Sequence, residues 1–68
     1  MTVAEIIKNL RTILCLEQQE FGELVGVTKS SICQYEKGNR LPRRPVIRKI
    51  IELAKKHKVK IKPEDFLN

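Results

Sequence analysis

Apolar residues recur along the first stretch of the chain at three-, four- and seven-residue intervals: Val3, Ile6, Ile7, Leu10, Ile13 and Leu14. That spacing puts them on one face of a helix, predicted over residues 3–14. Thr2 followed by Glu5 is a capping-box pair and sets its start independently. A second helix is predicted over about 18–25, turning Phe21, Leu24 and Val25 inward, with Glu17 at its N-cap and Gly26 as its stop. Val27 crosses the gap, Thr28 caps a third helix over 29–36, and Gly38 ends it. Pro45 suits the first turn of a fourth helix, 45–56, with Val46, Ile47, Ile50, Ile51, Leu53 and Ala54 inward. His57 to Lys62 reads as an extended connector that tucks in Val59 and Ile61. Pro63-Glu64-Asp65 opens a short fifth helix, its acids placed to suit the helix dipole. The expected fold is all-α, five helices around one aliphatic core.

Residues 18–35 carry the most specific pattern. Two short helices joined by a three- to four-residue turn containing glycine form a helix-turn-helix, here helices two and three. Gly22 is small where the two helices must cross closely, Gly26 supplies turn geometry that a Cβ would oppose, and Ile32 is placed to plug the crossing.

Sixty-eight residues make one domain, 1–68, with no room for a deep substrate cavity beside a core. The absence of tryptophan makes that core aliphatic. No apolar stretch approaches a membrane span and no signal-peptide pattern is visible, so a cytoplasmic location is expected. Cys15 and Cys33, both read as helical, are expected to be reduced packing residues rather than a disulfide or a metal site. The single histidine, His57, falls far short of a zinc ligand set. With one aspartate, Asp65, and no assembled nucleophile–base pair, an enzyme is not expected, nor any cofactor or metal.

Charge sharpens the picture. The formal net charge is +6, and it is uneven: residues 29–62 hold twelve Lys and Arg against only Glu36 and Glu52, while the first 28 residues lean acidic. A concentrated basic segment points to a polyanion, nucleic acid before anionic membrane; the plain alternative is a solvated, solubilising surface. The run Lys55-Lys56-His57-Lys58 with Lys60 and Lys62 divides evenly between these readings.

The text Leu10-Arg11, then Gln18 to Thr28, then Ser31-Ile32-Cys33-Gln34-Tyr35-Glu36-Lys37-Gly38, then Pro42, resembles the Cro/C1-type (Xre-like) helix-turn-helix regulators over about residues 4–67. The resemblance implies a lambda-repressor-like DNA-binding domain and sequence-specific recognition of duplex DNA in transcriptional regulation, more often repression. It implies a backbone-phosphate contact for Gln18, at the start of its helix. Thr28, Lys29, Ser30, Ser31 and Gln34 match DNA-facing positions of the recognition helix. Lys29 has the donors for guanine O6 or N7, and Gln34 the amide for adenine N6 and N7. Asn39, Arg40, Arg43 and Arg44 match a loop that grips the backbone, one arginine being a candidate for the minor groove. Arg11 and Glu36 match a structural ion pair. Two positions depart from the family pattern: Gly22, where alanine is more frequent, and Glu17, where Ser or Thr usually caps.

The resemblance also implies two-fold dimers on palindromic operators. Weak or DNA-assisted pairing is expected, through the C-terminal region around Ile61, Phe66 and Leu67, without a large dimerisation domain. Two further classes stay open: an antitoxin that also binds a protein partner, and a protein-interaction module that has kept the fold and lost DNA.

Overall fold

Why the chain adopts its helical order is clear from the ends of the segments. The computed structural model describes residues 2–66, which form helices α1 (Val3–Ile13), α2 (Gln18–Val25), α3 (Lys29–Glu36) and α4 (Arg44–Lys56), followed by a single 3-10 turn, Pro63–Phe66. Four α-helices are present among the described residues, not five. The expected fifth is a four-residue 3-10 turn, too short for an α-helical hydrogen-bond ladder.

The capping box at the start of α1 is formed: Thr2 N–H donates to Glu5 Oε1 at 3.0 Å and Glu5 N–H donates to Thr2 Oγ1 at 3.2 Å. The acid of this pair titrates below its ordinary 4.5, chiefly because the Thr2 backbone N–H and then its hydroxyl bind the carboxylate. Helix α1 stops one residue early, with Leu14 at its C-cap. Cys15 follows in the left-handed region at φ 56°, so it is not helical, and it is exposed rather than packed. Leu16 N–H closes the turn onto Arg11 O at 2.9 Å, and Cys15 N–H onto Thr12 O at 3.1 Å. At α2, Glu17 N–H donates to Glu20 Oε1 at 2.9 Å, so the weak N-cap residue is supported by the acid three positions on.

The core is aliphatic with three aromatic rings: Val3, Ile6, Ile7 and Leu10 of α1, Phe21 and Val25 of α2, Ile32 and Tyr35 of α3, Ile50 and Ala54 of α4, and Phe66. Val46, Ile47, Ile51 and Leu53 pack half-buried around it, as do Val59 and Ile61 of the connector. Two residues expected inward are not: Ile13 is 59% exposed and Leu24 53% exposed. Phe66, expected at a pairing surface, is in the core at 7% exposure; Leu67 lies outside the described residues. Arg44, expected in the loop, is the first residue of α4, which therefore begins one position early, with Pro45 in its first turn.

Candidate nucleic-acid interface

The α2–α3 unit is held by a close backbone crossing. Gly26 caps α2 at φ 81°, and its N–H donates to Gly22 O. Val27 N–H donates to the same oxygen at 2.8 Å. A Cβ on Gly22 would stand 2.6 Å from Val27 O, so this chain needs glycine there. Ile32, fully buried, fills the crossing as expected. Thr28 fixes the start of α3: its Oγ1 accepts from Ser31 N–H at 3.2 Å and donates to Ser31 Oγ at 3.2 Å.

That cap divides the predicted residues into two sets. The hydroxyls of Thr28 and half-buried Ser31 are turned toward each other. Lys29 and Ser30 project from the first turn of α3, exposed. Lys29 shares a depression of about 290 Å³ with Arg11, Glu17, Gln18 and Gln19, so the first residues of α2 and α3 meet at one spot, with the Glu17 carboxylate beside them.

Gln18 is half-buried, and its Nε2 donates to Glu36 Oε1 at 3.2 Å. Glu36 is itself 7% exposed and takes two bonds from Arg11: Nε to Oε2 at 2.8 Å and Nη2 to Oε1 at 3.1 Å. Arg11 Nη1 adds Leu16 O at 3.2 Å. The ion pair expected from the resemblance is therefore formed, bidentate, and extended by Gln18. The hydrogen bond to Glu36 raises the Arg11 pKa above its ordinary value. One amide hydrogen of Gln18 is committed to this network.

At the far end of α3, Asn39 Nδ2 donates to Gln34 Oε1 at 3.0 Å, while Asn39 N–H closes onto Gln34 O at 3.0 Å. Gly38 adopts φ 77° to make this return. Asn39 is thus placed beside Gln34. Pro42 is buried and pins the segment that follows; Arg40, Arg43 and Arg44 are exposed, Arg43 as the N-cap of α4 and Arg44 as its first residue.

Lys49 was not singled out from the sequence. Its Nζ lies 3.0 Å from where a Cβ of Gly26 would stand, so it roofs the α2–α3 turn. Nothing in the sequence signals this, because it depends on how α4 crosses α2. Around α3 the exposed donors are the Lys29 ammonium and the Ser30 hydroxyl, joined by the Arg40, Arg43 and Arg44 guanidiniums of the segment that follows. The acid of α3 is buried, while Glu20 and Glu23 of α2 are exposed, so the donors suited to an acceptor-rich anion gather at α3 and the start of α4. No group of three metal-ligating His, Cys, Asp or Glu side chains occurs among the described residues. Nor is any helix there long and apolar enough to cross a membrane.

Comparison with known proteins agrees with this geometry. A family model described as helix-turn-helix matches residues 7–60, most of the chain. No curated protein and no solved structure matches it.

Proposed function

The chain belongs to the Cro/C1-type helix-turn-helix family, a family of DNA-binding domains of transcription-regulator type, and we propose that it recognises a specific duplex sequence by seating α3 in the major groove. One observation carries this reading. Helices α1 and α2 open with the acids that helix dipoles favour, Glu5 and Glu20, whereas α3 and α4 have no acid in the first turn. Lys29 opens α3, and Arg43 and Arg44 open α4. Cations at these two N-termini oppose the dipole, at a cost of about 0.3–1 kcal/mol each. An anionic duplex laid against them turns that cost into attraction, through phosphates at Arg43 and Arg44 and through acceptor-bearing base edges at Lys29.

In this reading Lys29 and Gln34 contact base edges, Lys29 at guanine O6 or N7. Ser30 reaches a base or a phosphate, and Thr28 and Ser31 act through the cap that aims α3. Gln18, Arg40, Arg43 and Arg44 bind phosphates, and Asn39 orients Gln34. Arginine and lysine supply most of the affinity while α3 supplies the selectivity. The role is transcriptional regulation, as a repressor, by a weak or DNA-assisted dimer on a palindromic operator.

Binding is tested by fluorescence anisotropy, comparing duplexes selected from a random pool with an unselected duplex at several salt concentrations. Tight, salt-sensitive binding to enriched palindromes is expected. Equal, weak binding to every duplex contradicts the reading and favours a protein-interaction module.

A further inference from the structure

Lys55, Lys58, Lys60 and Lys62 line one depression of about 450 Å³ whose remaining lining is Val59 and Ile61, with no acid. None of these ammonium groups is within salt-bridge distance of a carboxylate among the described residues. The backbone beneath them is fixed. Val59 N–H donates to Ala54 O at 2.8 Å and Lys58 N–H to Lys55 O at 3.1 Å. Val59 and Ile61 are half-buried beside Ile6, Leu10 and Ile13 of α1, so the alternation of the connector leaves Lys58, Lys60 and Lys62 exposed.

Lys55 is explained by the carbonyl end of α4, which favours cations. The other three lie beyond that end and form no ion pair among the described residues, although the Asp65 carboxylate accepts from Lys62 N–H at 3.1 Å. Lys58 moreover occupies a left-handed position at φ 59°, where glycine is favoured, so its side chain is kept against a backbone preference. The cluster also lies the length of α4 away from Arg43 and Arg44: Lys55 stands eleven positions after Arg44, about 16 Å of helix rise.

We propose that this cluster is a second duplex-binding surface, which holds the phosphate backbone of another DNA segment while α3 occupies its own site. Lysines without an aromatic neighbour attract phosphates but neither stack on bases nor form the bidentate fork that reads them, so the contact is to duplex backbone and independent of sequence. An anionic membrane fits less well, because the only apolar residues of the depression, Val59 and Ile61, are half-buried between the lysines, and no aromatic or exposed apolar side chain stands among them to insert. Simultaneous occupancy rests on the α3 reading above; the second surface itself does not.

The test is fluorescence cross-correlation between two duplexes of one selected sequence carrying different dyes. The full chain is expected to make the two dyes diffuse together at low salt. The triple variant Lys58→Gln, Lys60→Gln, Lys62→Gln is expected to abolish co-diffusion while its affinity for a single short duplex stays within about twofold. Lys58→Gly supplies the residue that the backbone favours, so a weaker bridge in that variant is not a loss of folding. Lys29→Ala with Arg43→Ala tests the other face: co-diffusion is expected to be lost while binding to a single duplex that depends on Lys58, Lys60 and Lys62 remains. Absence of co-diffusion in the unaltered chain overturns simultaneous occupancy, absence of any lysine-dependent binding in the Lys29→Ala, Arg43→Ala variant overturns the second surface itself, and co-diffusion that persists in the triple variant overturns both. A triple variant that loses single-duplex affinity instead assigns the lysines to one shared footprint and overturns the proposal too. So does lysine-dependent binding to phosphatidylserine vesicles without bridging.

Discussion

Gln18 Nε2 and Glu36 Oε1 lie 3.2 Å apart, and that oxygen also accepts from Arg11 Nη2 at 3.1 Å. One buried carboxylate thus joins the C-terminal turn of α1, the first residue of α2 and the end of α3. Replacing it leaves a guanidinium and an amide without an acceptor, and the Arg11 side chain is only a quarter exposed. Glu36→Ala is expected to destabilise the fold by about 2–3 kcal/mol, below the 3–5 of a fully buried pair because Arg11 can still reach water. A urea melt measures this. An unchanged midpoint removes the network from the scaffold.

Gly22→Ala sets two effects against each other. Alanine improves helix propensity by up to about 1 kcal/mol. Its Cβ meets Val27 O, a backbone atom that cannot swing aside, at 2.6 Å. Forced close packing costs about 1–3 kcal/mol, so a net loss of about 1–2 kcal/mol is expected in the same melt. A stabilised variant means that the α2–α3 turn shifts to admit alanine.

Asn39→Ala removes the donor to Gln34 Oε1 without touching a helix interior. Base preference at the position read by Gln34 is expected to broaden by roughly 1 kcal/mol, or about fivefold, with affinity for unselected duplex little changed. Anisotropy against single-base variants of a selected duplex reads this. A uniform fall in affinity for every sequence places Asn39 on the phosphates instead.

Arg43→Ala is expected to weaken all duplexes alike and to reduce the slope of log affinity against log salt by about 1. The salt series resolves this, and an unchanged slope removes Arg43 from the contact.

Glu5 carries the pH dependence. Its folded pKa is depressed by bonds from Thr2, so the stability it contributes is present above the unfolded value and lost as pH falls through the folded one. An NMR titration is expected to place the Glu5 midpoint below 4.5, and Thr2→Ala, which removes the hydroxyl but keeps the backbone N–H that contributes most, is expected to return it only part of the way. A midpoint at 4.5 in the unaltered chain contradicts the capping box.

The order of helices, the turn at Gly26 and most of the core were legible because each is written locally, in apolar spacing and in capping residues. What escaped depends on how elements cross. Ile13 and Leu24 fall on the apolar spacing, yet α1 ends at Ile13 beside an open groove and Leu24 sits at the rim where α4 passes. Cys15 takes a left-handed turn that glycine usually marks, so no residue signalled it. At the candidate site, charge and resemblance located α3 and the arginines, but not the partners of Gln18 and Gln34. Those bonds join residues 18 and 5 positions apart, and helical periodicity says nothing about side-chain amides.

The central claim is that α3 reads base edges. Selection from a random duplex pool, run in parallel with the unaltered chain and with Lys29→Ala, tests it most directly. A defined motif for the unaltered chain is predicted, with the variant losing preference at one or two adjacent positions and keeping the rest. The same motif from both proteins, or none from either, contradicts it.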